Sequence, residues 1–316
     1  MTAGAERPAP RSPAVALALA AAFGWATYYL FVLWGSPGTA PSAILVYPFL
    51  VGGVAFAALA TIRGDGRAFV RIWASPAAYL RTGLMLAMQI SILAATYLVG
   101  PVDASLLSLL GDVVVTPVLV AAWLGGDGAM LRRSRFVAGL LLSLAGGTLA
   151  IVGGRQLTTV HGWGWLTVGA VPLSVAFYFI LSARANESAP PTAVVGQSML
   201  GAAIGAILVA PWIPGGWPGL VRATPPLATL LVLNGVVSFF VAPTLYFAAI
   251  RRAGIVVPAM LMTAIPIFTL LLSVGVLGLS LPWLGAVGIP VAVVGALLVL
   301  GTAGGPAVER APPAPR

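Results

Sequence analysis

The sequence predicts an all-α membrane protein of ten transmembrane helices, arranged as two inverted five-helix repeats with both termini cytoplasmic. Three observations predict it. Charged residues are confined to short gaps between long uncharged runs such as 13–62, 136–154 and 253–305. The arginines in those gaps alternate between rich and poor. A pattern in the first half of the chain returns, 153 residues later, in the second.

A helix crossing about 30 Å of hydrocarbon needs roughly 20 mainly apolar residues. With 60% hydrophobic and 7% charged residues in 316, the chain allows ten such spans and no soluble domain. The first is expected near 14–34, ending at Trp34, and the second at 42–62, ending before Arg63. The third, 79–99, follows an arginine-rich gap, and the fourth is 103–124. Arg132, Arg133 and Arg135 precede the fifth, 136–154; the sixth, 163–183, stops at Arg184. The seventh, 192–213, closes near Trp212, and the eighth, 227–250, at Arg251 and Arg252. Spans at 255–278 and 283–302 complete the set. Lipid offers the backbone no partner, so each is helical.

Arginine orients the chain. With the N-terminus inside, fourteen arginines are cytoplasmic (Arg7, Arg11, Arg63, Arg67, Arg71, Arg81, Arg132, Arg133, Arg135, Arg184, Arg251, Arg252, Arg310 and Arg316). Only Arg155 and Arg222 face outward. This is the positive-inside bias. Trp163, Trp165, Trp217 and Trp283 fall near outer span ends and Trp73 and Trp123 near inner ones, as interfacial belts require. The halves are expected at 14–154 and 155–302, with disordered proline-rich tails at 1–13 and 303–316.

Composition also excludes. The net charge of +9 comes without a basic cluster interleaved with aromatics, so no nucleic-acid partner is expected. Cysteine is absent, which removes disulfides and thiolate chemistry. Without lysine there is no Walker A loop. The N-terminal apolar run outlasts the roughly 7–15 residues of a signal-peptide core, so a retained span is expected. No HExxH, GxSxG or GxGxxG occurs, and no cofactor, metal or enzymatic activity is expected.

The repeat joins 102–125 (VDASLLSLLGDVVVTPVLVAAWLG) to 255–278 (IVVPAMLMTAIPIFTLLLSVGVLG), each followed by a glycine-rich apolar span. Five spans per half is an odd number, so the halves are inverted, the plan of many secondary transporters.

With residues 22–31 (AFGWATYYLF), the block 97–139 and the block 245–299, the chain resembles the EamA-like branch of the drug/metabolite transporter superfamily. The resemblance implies export of small metabolites, often amino acids or related compounds, across the cytoplasmic membrane. The family commonly carries a glutamate after each Leu-Gly turn; here those places read Gly126–Asp127 and Leu279–Ser280. No role carries over to those acids.

Asp112 is the one carboxylate in the middle of a span. Ser105, Ser108, Asp112 and Thr116 (i, i+3, i+7, i+11) form one polar stripe on a helix. Asp103 lies on the opposite face. No arginine is expected in a span core, which leaves Asp112 without a permanent cationic partner. It is then a proton carrier, a partner for a substrate amine, or a protonated packing residue. At the repeat offset the stripe reads Pro258, Leu261, Ile265 and Thr269, mostly apolar.

Gln89, Ser174, Asn234, Ser238 and Thr263 are further mid-depth polar residues, lining a central cavity or making interhelical hydrogen bonds worth about 0.6 kcal/mol each. Trp25, Tyr28, Tyr29, Tyr178 and Tyr246 form an aromatic cage or pack helices. Pro48, Pro172, Pro243 and Pro266 interrupt spans, and Gly201 and Gly205 form a GxxxG that 38 glycines make common by chance.

The expectation is a secondary transporter, with proton coupling through Asp112 as one reading, and with a small-molecule substrate and the lipid bilayer as partners. Alternatives are a passive facilitator of an uncharged or aromatic solute, an intramembrane enzyme, or a receptor.

Overall fold

A computed structural model describes residues 11–35, 38–111, 115–116, 118–119, 132–154, 162–186, 188–222, 224–253, 258, 261–280 and 283–303. Asp112, Asp127, His161 and most of both expected tails lie outside the described residues. Every regular element among the described residues is helical.

The helices are α1 (Arg11–Gly35), α2 (Pro41–Ile62), α3 (Gly66–Ile72), α4 (Pro76–Leu98), α5 (Pro101–Leu110), α6 (Ser134–Gly154), α7 (Gly162–Asn186) and α8 (Pro191–Val209). They continue with α9 (Gly216–Val221), α10 (Pro225–Asn234), α11 (Ala242–Ala253), α12 (Ile265–Gly275) and α13 (Trp283–Ala303). Prolines start α2, α4, α5, α8 and α10. There the missing N–H costs nothing and the fixed φ suits the first turn.

Five stretches are long and apolar enough to cross a membrane: Pro13–Gly35, Pro41–Ile62, Pro76–Leu98, Pro191–Trp212 and Pro225–Arg252. Shorter apolar helices cover Pro101–Leu110, Ser134–Leu149, Met262–Gly275 and Trp283–Val299. Large apolar side chains such as Val54, Leu141, Leu208 and Leu271 point outward. A surface this apolar suits lipid rather than water.

Among the described residues the helices sit close to their expected places, with three differences; most of the expected span 103–124 beyond Gly111 and the start of 255–278 lie outside those residues. Helix α1 starts at Arg11, inside the stretch expected to be disordered. The short helices α3 and α9 fill two gaps expected as loops. Helix α4 starts at Pro76, three residues before the expected 79, which brings Arg81 into its second turn, where it is buried.

Small residues set the packing. Helices α6 and α13 cross antiparallel: Gly139 meets Gly295 and Val299, while Gly146 meets Ala292 and Gly288. The Ser143 hydroxyl donates to the Ala292 carbonyl at 3.2 Å. Helices α2 and α8 also cross antiparallel, Gly53 against Leu200 and Gly196 against Phe56. Gly201 and Gly205 lie against Thr82 and Leu86, so this GxxxG joins α8 to α4 within the chain. Helix α1 packs on α10 and α11, α4 on α7, and α5 on α12.

Between α10 and α11 the chain stays helical but widens, with Gly235–Val241 in π turns. Pro243 follows. A proline ring inside a helix displaces the carbonyl of the preceding turn and offers it no N–H, and a wider turn relieves both problems. Gly111 and Val115 are wound the same way, ahead of Pro117 in the sequence. There the Thr116 hydroxyl caps the Gly111 carbonyl at 2.8 Å.

The α6–α13 crossing yields a paired prediction. A Cβ at Gly146 would land on the Ala292 backbone, whereas one at Gly83 meets nothing within 4 Å. Gly146→Val is expected to lower the thermal unfolding midpoint of the detergent-purified protein by several degrees. Gly83→Ala is expected to leave it unchanged or raise it, since alanine gains about 1 kcal/mol in a helix. Equal effects at the two sites would refute close packing at this crossing.

Candidate functional site

Helix α1 carries Thr27, Tyr28 and Tyr29 into the bundle, all three buried. The two tyrosine rings meet edge to face, with centroids 5.4 Å apart. The Ser108 hydroxyl on α5 donates to the Ala104 carbonyl at 3.0 Å. Its oxygen is thereby left to accept from the Tyr29 hydroxyl, 3.2 Å away. From α4, buried Gln89 stands beside the Tyr28 hydroxyl, with Tyr97 nearby. Tyr28, Tyr29, Gln89 and Ser108 thus form one polar and aromatic cluster where α1, α4 and α5 converge.

The α10–α11 side closes against it. The Phe239 ring contacts Tyr28 at 5.8 Å and Phe49 at 5.1 Å between centroids. The Thr27 hydroxyl donates to the Gly24 carbonyl at 2.7 Å, so Ser238, 3.4 Å away, donates to Thr27. One turn earlier, Asn234 is 0% exposed, and neither its amide nitrogen nor its oxygen has a hydrogen-bond partner. Leaving such a group unpaired in an apolar interior costs about 1–3 kcal/mol. It also sits at the mouth of the π segment, a kind of distortion frequently found at functional sites.

The other sequence candidates are placed elsewhere. Ser105 and Ser174 turn back onto their own helices, donating to Val102 at 2.7 Å and Val171 at 3.0 Å. Thr116 is half-buried and Thr263 is buried in the turn Met262–Ala264. Asp112, the centre of the expected stripe, lies outside the described residues. The aromatics fall into three groups rather than one cage. Tyr28 and Tyr29 are in the cluster, Trp25 packs on Tyr246 at 5.3 Å, and Tyr178 packs on Phe179 at 5.4 Å.

Sequence reasoning missed Gln197 and Arg81. Gln197 is 0% exposed and takes the Arg81 Nη2 donor on its Oε1 at 3.1 Å. Its own Nε2 donates to the Thr82 hydroxyl at 2.9 Å. The available signal was the polar pair Gln197–Ser198 inside an otherwise apolar stretch.

The central cluster holds neutral donors and acceptors beside aromatic faces. Among the described residues no group of three or more His, Cys, Asp or Glu stands where it would hold a metal ion.

Comparison with known proteins places the chain. The sequence model of the EamA-like transporter family matches residues 162–301. Seventeen chains of solved structures match. One, described as "Crystal structure of protein", is 21% identical, with a TM-score of 0.65 over 92% of this chain and 96% of that one. At that identity the likeness is one of fold. No curated protein matches. Residues 162–301 of this multi-pass membrane protein, a little under half of the chain, therefore match the EamA-like transporter family, which lies within the drug/metabolite transporter superfamily.

Proposed function

We propose that the chain is a secondary transporter that exports a small metabolite, such as an amino acid or related compound, across the cell membrane by alternating access. Ten spans form two inverted halves, 14–154 and 155–302, with both termini in the cytoplasm. The helix pairing supports this plan, because exchanging the halves leaves it unchanged. Helices α6 and α13, α2 and α8, and α5 and α12 are counterparts that pair with each other. Likewise, α1 on α10 and α11 exchanges with α7 on α4. Rocking one half against the other around the central cluster alternates its exposure.

The observation that carries the reading is Asn234. A fully buried amide with no protein partner, one turn from the Thr27–Ser238 pair, offers both a donor and an acceptor to a solute. Asp112, mid-span in the sequence, supplies the proton coupling. A passive facilitator of an uncharged or aromatic solute is the second reading, favoured by the neutrality of the described cluster.

Counterflow of a radiolabelled amino-acid panel in proteoliposomes separates them. Proton coupling predicts accumulation that follows an imposed pH gradient. Asp112→Asn is expected to lose that dependence while exchange continues. Flux indifferent to the gradient in both proteins would establish the facilitator, and no flux of any solute would refute transport.

Asn234→Leu removes the unpaired amide at similar volume. It is expected to raise unfolding stability by about 1–3 kcal/mol and to cut transport at least tenfold. A lowered unfolding midpoint would show that the amide is satisfied in the protein and is not a solute ligand.

A further inference from the structure

We infer that Arg81, with the polar side chains around it, forms an oxyanion subsite for the carboxylate of the transported solute. It lies where the N-terminal ends of α4 and α8 meet the C-terminal end of α7. The inference rests on the transport reading and names the substrate class: small organic acids and amino acids.

Arg81 is 3% exposed. On the same turn Tyr79 and Leu80 point outward, so the guanidinium is turned into the bundle rather than toward a lipid headgroup. Among the described residues it makes no ion pair. Its one hydrogen bond runs from Nη2 to the Gln197 Oε1, and its Nε is buried with no partner. The Gln197 amide is held in that orientation by its own donation to Thr82 at 2.9 Å and to the Ala78 carbonyl at 3.4 Å. Gln197 therefore gives the cation a neutral oxygen and nothing more. A buried charge is normally paired, because desolvation is otherwise uncompensated.

Two further donors stand nearby. The Ser182 hydroxyl is buried and without a partner. The Tyr178 hydroxyl stands beside Ser182, Ser198 and Arg81. The Ser198 hydroxyl is committed to the Val194 carbonyl at 3.0 Å. Among the described residues the neighbourhood thus supplies a fixed positive charge, a free guanidinium N–H and hydroxyl donors, and no acid pairs with the guanidinium. An acceptor with two oxygens and one negative charge completes it, and guanidinium is suited to the two-pronged geometry of a carboxylate. The positive-inside orientation puts this end of the bundle on the cytoplasmic side, where an exported solute enters.

Thermal unfolding of the purified chain in lipid-free detergent, at constant ionic strength, tests the site. The probes are acetate, isobutyrate and benzoate, each against its amide. The wild type is expected to be stabilised by the acids and not by the amides. Arg81→Gln is expected to weaken apparent affinity for the acids about 10- to 100-fold, and Arg81→Lys less.

Should Arg81→Gln fail to fold, Ser182→Ala carries the test, with a several-fold loss expected for the acids alone. Equal stabilisation by acid and amide, or acid binding unchanged in the variants, would overturn the subsite. So would stabilisation by added phosphatidylglycerol with none by the acids, which makes it a headgroup site. Counterflow keeps the two readings apart. Solute flux without acid selectivity overturns the subsite alone, whereas acid-selective binding without flux of any solute overturns transport.

Discussion

Hydrocarbon offers no hydrogen-bond partner, and most of this structure follows from that. Backbone groups must be satisfied within helices, so proline sits at helix starts or is accommodated by a wider turn. Hydroxyls inside the spans turn back onto carbonyls of the same helix, as Ser105, Ser174 and Ser198 do. Lipid is also as apolar as leucine, so burying leucine draws helices together only weakly. Close approach has to do that work instead. It explains why Gly139, Gly146 and Gly295 lie where α6 and α13 cross, and Gly53 and Gly196 where α2 and α8 do.

Against that background, the polar groups without partners stand out. Tyr29 with Ser108 and Thr27 with Ser238 form pairs across helices that fix α1 against α5 and against the widened helix. Asn234, Ser182 and the Nε of Arg81 have no such pairing. Evolution removes such defects easily when nothing depends on them, and an isosteric leucine at Asn234 would suffice. Under the transport proposal, their presence at two depths of one bundle would mark a charged entry and a neutral middle to the solute's route.

The places of the five long apolar helices were legible because hydropathy reports directly on depth. Short α3 and α9 were not, since seven and six residues are too few for a periodic signal. The burial of Arg81 was not legible, because the last arginine of a gap reads as the gap's solvated edge, while the structure turns it into the bundle. The aromatic grouping depended on packing. Trp25 lies about one turn, some 5 Å of axial rise, before Tyr28 and Tyr29, and it finds Tyr246 rather than the cluster. The π winding was unreadable because proline in a sequence does not say whether a helix kinks, ends or widens.

The widened stretch between α10 and α11 also fixes the angular phase of one helix end against the other. An α-helix turns about 100° per residue, and seven residues wound more loosely leave α11 rotated from where regular winding would carry it. Asn234 and Leu231 face the interior above this stretch, while Tyr246 meets Trp25 below it. Removing a single residue within 235–241 would let the helix rewind regularly. It would then swing Tyr246, Arg251 and Arg252 together to a new side of the bundle. The segment therefore behaves as an angular coupling between the half of the helix that carries Asn234 and its basic end, with one residue as the unit of adjustment.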